Sequence, residues 1–190
     1  ALDSLLYAQG DFSIVVLDAD VESEDLCLTR DRVSVVHARR EDYPAWPLSP
    51  KKYTHERLID ECSAERRLWH SKQAWDAALL MSHAVGQSKW YMHVEDDWLA
   101  KPGWFDVAKS TLDANEEQQN HRFTYPDGGF VGHTFRSDIL LDVATFVKER
   151  HDELPIDWLI DYFPVPFRRG PALFEHIGIV SSLDGQTRQS

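Results

Sequence analysis

Short apolar runs of strand length alternate along this chain with longer segments in which apolar residues recur at helical spacing. Phe12–Leu17 contains three successive β-branched residues, and Arg32–His37 and Trp90–Val94 are the next two strand candidates. Between the last two, the spacing predicts a long helix from near Ser63 to His83, with Gly86 as its stop. Because strands that alternate with helices pack in layers, we predict one α/β domain with a partly parallel sheet over all 190 residues.

Proline and capping residues indicate the remaining boundaries. Glu41–Tyr53 contains three prolines and is predicted to be a loop. Ser137 is the predicted N-cap of a helix, and Pro155 is predicted to begin a shorter one that ends before Pro164. The other predicted elements are helices over Leu2–Gln9 and from Pro102 to Leu112, a surface loop over Asn115–His121, a strand over Phe130–Phe135, and a late strand or turn over Ala172–Val180.

The charge balance excludes two classes of partner. Lys and Arg number 20 and Asp and Glu number 32, which gives a net charge of −12. Non-specific binding to nucleic acid needs basic residues that displace counterions, and an anionic membrane surface repels an acidic chain. We therefore expect neither nucleic acid nor a membrane surface as a partner. Cys27 and Cys62 fit one disulfide or two buried thiols equally well.

Three consecutive acids follow the strand predicted at Trp90–Val94. Ligands of open α/β sheets bind beyond the carboxyl ends of the strands, where Glu95, Asp96 and Asp97 are expected to lie. Carboxylate oxygens there suit a hard divalent ion such as Mg²⁺ or Mn²⁺ that also contacts substrate phosphates. The alternative interpretation, which the sequence leaves open, is a solvated acidic turn.

Weaker signals come from single charged residues elsewhere. Asp157 and Asp161 lie four positions apart on a predicted helix, and either could act as a general base, although acids in a first turn often only favour the helix dipole. His176 is a possible metal ligand, but a lone histidine beside an apolar strand is more often held by hydrogen bonds. Lys72 could bind phosphate, or it could belong to a solvated face.

Taken in order, these motifs resemble the N-acetylglucosaminyltransferase IV family, whose members are glycosyltransferases of the GT-A fold that branch N-glycans. The ordered set of the acid triplet, PIDWL and F-x-H-x-G is far more specific than any one motif. The matching stretches are RLWHSKQAWDAALLM (67–81), WYMHVEDDWLAKPGWF (90–105), GFVGHTF (129–135), LPIDWLID (154–161) and ALFEHIGIVSSL (172–183).

The resemblance implies a role for each candidate. Asp97 corresponds to the acid that contacts Mn²⁺, and His176 to a late histidine that completes the metal shell. Glu95 or Asp96 is then expected near the ribose of the nucleotide. Two further positions, Lys72 and Asp76, are expected near the nucleotide, and Asp157 is the expected general base for the acceptor hydroxyl.

The family also implies a fold, a reaction and a compartment. We expect a GT-A-like, mostly parallel sheet flanked by helices, and a chain that begins in the helix after the usual first strand. It would then be a fragment, a minimal homologue or a protein with altered nucleotide binding. The expected reaction is inverting, Mn²⁺-dependent transfer of N-acetylglucosamine from UDP-GlcNAc to a mannose or glycan acceptor in the Golgi lumen. The alternatives are an inactive relative that binds carbohydrate or nucleotide sugar, and a glycoside hydrolase that uses two acids.

Overall fold

The structure is a computed structural model of the 190-residue chain, and it describes residues 2–6, 8–20, 31–45, 48, 63–124 and 129–177. Its contacts divide the chain into two compact units. The strand-rich unit comprises Ala1–Asp11, Trp90–Arg136 and Val165–Ser190, and the helix-rich unit comprises Phe12–Lys89 and Ser137–Pro164. Each unit is therefore built from separate segments of the sequence. A single catalytic domain over residues 1–190 stays a prediction.

A parallel pair of strands forms the sheet of the helix-rich unit. The predicted strands are confirmed as β1 (Ile14–Asp18) and β2 (Val33–His37). Their register places Ile14 opposite Val33 and Asp18 opposite His37. Both strands therefore end at one edge, and each presents a polar side chain there.

The long predicted helix is confirmed as α2 (Ala64–Ala84). It begins after Ser63, whose hydroxyl accepts a hydrogen bond from the Arg66 backbone N–H at 3.2 Å. Leu68, Trp75 and Leu79, which recur at helical spacing in the sequence, are partly buried against a small cluster of Ala38, Tyr43 and Leu48. The fully buried stripe consists of smaller residues at helical spacing, namely Ala74, Ala77, Ala78 and Met81.

Two further helices are described in this unit. Helix α4 (Ser137–Arg150) packs against α2 through a buried face that includes Leu140, Val143 and Val147. Pro155 caps α5 (Ile156–Leu159), which tightens into a 3₁₀ turn over Ile160–Tyr162, so the predicted short helix is confirmed.

Two small sheets form the strand-rich unit, together with helices α1 (Leu2–Leu6) and α3 (Trp104–Asp113). One sheet has the order β3-β6-β5-β7, and the other pairs β4 with β8. The strands are β3 (Trp90–Met92), β4 (Trp98–Ala100), β5 (Asn120–Arg122), β6 (His133–Arg136), β7 (Arg168–Arg169) and β8 (Phe174–His176).

The expectation of a mostly parallel sheet is wrong. Among the described strands, β1–β2 and β5–β7 are parallel, whereas β3–β6, β5–β6 and β4–β8 are antiparallel. Antiparallel neighbours need no crossover helix, so the short connection from β5 to β6 suffices for their pairing. The structure is a mixed α/β arrangement.

Some predictions differ in detail or fall outside the described residues. Strand β4 was not predicted, and the loop predicted over Asn115–His121 ends two residues early, because Asn120 and His121 belong to β5. Cys27 and Cys62 lie outside the described residues. Across the part of the chain that is described, no helix combines the length and apolarity that a membrane crossing requires.

Candidate functional site

Asp97 and His176 meet in the strand-rich unit although 79 positions separate them. The Nε2 atom of His176 lies 3.0 Å from Oδ2 of Asp97. The Asp97 side chain is 45% exposed and that of His176 is 23% exposed. Two side chains that can ligate a metal ion therefore lie together where solvent still reaches them.

The pairing of β4 with β8 produces this contact. Trp98 lies opposite His176 in the ladder, and the Ile177 backbone N–H donates to the Asp97 carbonyl at 2.9 Å. The Trp98 and His176 rings meet edge to face, with centroids 5.0 Å apart. Backbone pairing and the indole ring therefore fix the imidazole beside the carboxylate.

The backbone before the acid triplet is also held firmly. His93 donates its backbone N–H to the His133 carbonyl at 2.9 Å, and its own carbonyl accepts from Gly132 at 2.7 Å. Gly132 has φ +71°, and a Cβ there would lie 3.0 Å from backbone atoms of Phe123, so only glycine fits. Burial lowers the pKa of His93 to about 4, so its ring is neutral and pairs with the Tyr91 hydroxyl at 2.8 Å.

The other two acids of the triplet differ in exposure. Asp96 is exposed, whereas Glu95 is partly buried. Glu95 Oε2 lies 3.7 Å from the point that a Cβ on Gly129 would occupy, so a larger residue at position 129 would narrow the space beside this carboxylate. The structure therefore keeps Glu95 and Asp97 at the same turn and leaves Asp96 facing solvent.

Asp97 and His176 form a hydrogen-bonded pair, and the separation of the two atoms is also compatible with a shared divalent cation. Two ligands that are each about 2.1 Å from an octahedral ion and at right angles are about 3.0 Å apart, which is the separation of Asp97 Oδ2 and His176 Nε2. Carboxylate oxygen and imidazole nitrogen together suit Mn²⁺. Within the described residues no group of three or more potential ligands occurs. A cation here would thus take its remaining ligands from water and substrate.

In the helix-rich unit, Lys72 and Asp76 form a second polar cluster with Tyr43. Lys72 Nζ donates to Asp76 Oδ2 at 2.7 Å and to the Ala19 carbonyl at 2.8 Å. The Tyr43 hydroxyl donates to Asp76 Oδ1 at 2.5 Å. Burial raises the pKa of the Asp76 carboxyl, and the Lys72 charge and both hydrogen bonds oppose that rise. In this Lys72–Asp76–Tyr43 cluster, each carboxylate oxygen of Asp76 accepts a hydrogen bond from one of the other two side chains.

This cluster lies at the carboxyl edge of β1 and β2. Ala19 directly follows β1, and the neighbouring Asp18 lies 3.3 Å from Nδ1 of His37, the last residue of β2. The carboxyl edge of parallel strands is where α/β proteins place ligands. The structure thus brings a lysine from α2 to that edge.

Asp157 and Asp161 occupy α5 and the 3₁₀ turn that follows it. Asp157 is partly buried, and Asp161 is exposed. Beside them, Trp158 and Tyr162 are exposed to 38% and 63%, although large aromatic side chains are usually covered. The choice of Asp157 over Asp161 as a base stays a prediction.

The structure therefore joins the sequence-derived candidates into two pairs, Asp97 with His176 and Lys72 with Asp76. Sequence reasoning missed Tyr43, because it lies in the segment predicted to be a proline-containing loop, 33 positions before Asp76. Neither periodicity nor a local motif connects the two residues.

Comparison with known proteins identifies the family. The profile described as "MGAT4 conserved region" matches residues 25–165, a range that includes Lys72, Asp76, Glu95–Asp97 and Asp157. No solved structure gives a significant match.

Curated relatives agree with this match. The alpha-1,6-mannosyl-glycoprotein 4-beta-N-acetylglucosaminyltransferase of Gallus gallus is 29% identical over 81% of this chain and 33% of its own length. The alpha-1,3-mannosyl-glycoprotein 4-beta-N-acetylglucosaminyltransferase A of Rattus norvegicus is 28% identical over 67% of this chain and 28% of its own length. The alpha-1,3-mannosyl-glycoprotein 4-beta-N-acetylglucosaminyltransferase B of Danio rerio is 28% identical over 66% of this chain and 26% of its own length.

The chain spans about a third or less of the length of these relatives. The profile match nevertheless covers most of the chain and contains the acid triplet and the PIDWL motif. The chain therefore belongs to the MGAT4 family, the N-acetylglucosaminyltransferase IV family that its motifs resemble.

Proposed function

We propose that this chain carries the catalytic residues of an inverting, metal-dependent glycosyltransferase. The reaction is transfer of N-acetylglucosamine from UDP-GlcNAc to a hydroxyl of a mannose-containing glycan. The observation that carries the proposal is the Asp97–His176 pair, with its oxygen and nitrogen 3.0 Å apart at a solvent-accessible turn. It occurs in a member of a family whose relatives are named as N-acetylglucosaminyltransferases.

Asp97 and His176 are the residues that would hold a divalent cation such as Mn²⁺. When bound, such a cation neutralises the negative charge that grows on a departing diphosphate. Glu95 and Asp96, on the same turn, are assigned to the ribose side of the nucleotide. Lys72 is assigned to the donor because it brings a positive charge to the carboxyl edge of β1.

Asp157 is assigned the role of general base. Its carboxylate accepts the proton of the acceptor hydroxyl while that oxygen bonds to the anomeric carbon of the donor sugar. The bond from the anomeric carbon to the diphosphate oxygen breaks on the opposite face, and UDP leaves with its electron pair. The transfer therefore inverts the anomeric configuration.

A GT-A arrangement and a Golgi location belong to the same proposal. The parallel pair β1–β2, with Asp18, His37 and Lys72 at its carboxyl edge, supports a nucleotide-binding sheet of that kind. The proposed location in the Golgi lumen rests on the family resemblance, and microscopy of the tagged protein in cells tests it.

A donor screen tests the proposed function. UDP release is measured from several UDP-sugars with a mannose-containing glycan acceptor, once with Mn²⁺ and once with chelator. We expect release from UDP-GlcNAc that requires both acceptor and Mn²⁺.

The control is Glu175→Ala, which removes an exposed acid adjacent to His176 in the sequence and is expected to keep full activity. UDP binding without turnover would instead identify an inactive relative. Release that is equally fast with chelator would contradict the role of Asp97 and His176.

A further inference from the structure

Lys72 is held from two sides and has donor capacity left. An ammonium group has three N–H donors, and two of them reach Asp76 Oδ2 and the Ala19 carbonyl. Among the residues that the structure describes, these are its hydrogen-bond partners. The Lys72 side chain is 29% exposed. A third N–H of Lys72 is therefore left to donate to a water molecule or to an oxygen of a bound ligand.

The position of Asp76 in turn depends on Tyr43. The phenol donates to the carboxylate oxygen that Lys72 does not contact, so each oxygen of Asp76 has its own donor. Burial and the nearby carboxylate raise the pKa of Tyr43, which keeps its hydroxyl protonated and able to donate. Tyr43 is 6% exposed and packs with Ala38 and Leu48, so its ring cannot move freely.

Helix α2 is fixed to the same region by a second contact. The indole N–H of Trp75 donates to the Asp42 carbonyl at 2.8 Å, and Asp42 directly precedes Tyr43. The Asp42 carboxylate accepts from the Arg39 backbone N–H at 2.7 Å, which closes the 3₁₀ turn. The segment that carries Tyr43 is therefore held against the helix that carries Lys72 and Asp76.

We propose that Tyr43 is a positioning residue for the anionic part of the nucleotide-sugar donor. It holds Asp76, and Asp76 together with the Ala19 carbonyl directs the third N–H of Lys72 to a diphosphate oxygen. This inference rests on the proposed function, because it takes the donor to be a nucleoside diphosphate sugar. It deepens that function by adding a residue that lies within the profile match but outside the motifs quoted above, and that sets donor affinity without touching the donor.

The test measures UDP affinity of the 190-residue chain by calorimetry in the presence of Mn²⁺. Tyr43→Phe removes one hydroxyl and keeps the ring, and we expect it to weaken UDP binding about tenfold, because a misdirected Lys72 loses much of one charge-assisted hydrogen bond to the diphosphate. With UDP-GlcNAc as substrate, KM should rise by a similar factor while kcat changes less than about twofold. Tyr162→Phe is the matched control, since it removes a hydroxyl from an exposed tyrosine of the same unit.

A double-mutant cycle distinguishes positioning from a general structural effect. Lys72→Met removes the ammonium, and in that background Tyr43→Phe should change UDP affinity less than about twofold, because both act on one contact. Equal weakening in both backgrounds, or a lower thermal midpoint with unchanged UDP affinity, would overturn the inference and leave Tyr43 as a core residue. A parent chain that fails to bind UDP would overturn the proposed function and this inference with it.

Discussion

The two units hold their charged pairs in different ways. Asp97 and His176 come from positions 79 apart, are joined by one contact and remain partly open. Lys72 and Asp76 lie four positions apart on one helix, and further hydrogen bonds join them to Tyr43 and the Ala19 carbonyl. In the proposed roles, the exposed Asp97–His176 pair would share a cation, whereas the Lys72–Asp76–Tyr43 cluster would present one N–H of Lys72 outward. The two sites therefore differ in solvent exposure and in the number of hydrogen bonds, although both combine an aspartate with a basic side chain.

The largest expected effect is at the Asp97–His176 pair. Asp97→Ala should remove Mn²⁺-dependent UDP binding, since it deletes the carboxylate that would hold the ion. Because the Asp97 side chain is 45% exposed, the free energy of unfolding should change by less than about 1 kcal/mol. Calorimetry and urea unfolding measure the two quantities. Binding as tight as that of the parent would contradict the metal assignment.

The second prediction tests whether Asp157, in the helix-rich unit, is the general base. Asp157→Asn keeps the shape of the side chain and removes its basicity, so kcat should fall by about 10²–10⁴ while UDP affinity is unchanged. Steady-state kinetics with saturating donor measures kcat.

Asp161→Asn is the matched control, four positions later, and should have a much smaller effect. The reverse order would assign the base to Asp161. Weaker UDP binding by Asp157→Asn would place Asp157 on the donor side instead.

The Lys72–Asp76–Tyr43 cluster should respond differently from the Asp97–His176 pair. Asp76→Ala leaves the Tyr43 hydroxyl and the Lys72 ammonium without their shared acceptor, so it should lower the free energy of unfolding by about 2–3 kcal/mol. Urea unfolding without metal tests this. If Asp76→Ala is as stable as Asp97→Ala, the difference drawn between the two sites is wrong.

His176 provides a finer test of the Asp97–His176 pair. As a metal ligand, His176→Ala should raise the Mn²⁺ concentration for half-maximal activity at least about tenfold, since even residues outside the ligand shell have effects of that size. The thermal midpoint without metal should hardly change. A large loss of metal-free stability with an unchanged Mn²⁺ requirement would make His176 a purely structural residue.

The last prediction concerns acid stability, where His133 in one unit and Asp76 in the other should act with opposite sign. Burial and the charge of Arg122 lower the pKa of His133 to about 3, from an ordinary 6.5. Between these values the unfolded chain binds a proton that the native chain does not, so stability falls with falling pH by about 1.4 kcal/mol per unit. His133→Asn should remove that slope, as measured by urea unfolding from pH 6 to pH 4.

Asp76 acts in the opposite direction. The pKa of Asp76 is raised in the native chain, so its contribution to the free energy of unfolding is present below its ordinary pKa of 3.8 and is lost as pH rises through the native pKa.

For the His133 prediction, an unchanged slope in His133→Asn would show that His133 is protonated in the native chain.

Features that depend on neighbouring residues, such as helix α2, could be predicted from the sequence. The long helix was predicted from near Ser63 to His83 because 3.6-residue periodicity depends on neighbours in sequence, and the structure adds that the Ser63 hydroxyl caps it. The spacing of Leu68, Trp75 and Leu79 predicted the helix but not its most buried stripe of alanines, because the pattern rests on the large apolar residues.

Pairings between distant segments could not be predicted from spacing. Nothing in the sequence around Trp98 indicates that it lies opposite His176, and family resemblance alone suggested that Asp97 and His176 act together. The contact between Tyr43 and Asp76 was missed by both routes, since it depends on a tertiary arrangement that neither motif nor periodicity encodes.

The pairing of β4 with β8 has a consequence for biosynthesis. A ribosome delivers the acid triplet early, but Asp97 cannot meet its imidazole partner until 79 more residues have been made. Both members of the Lys72–Asp76 pair lie on one helix, so both have been made well before that point. During translation the acid triplet is therefore complete long before the strand that brings His176 to Asp97. Any cation recruited through both residues would bind only after synthesis of that strand, as a late step in maturation.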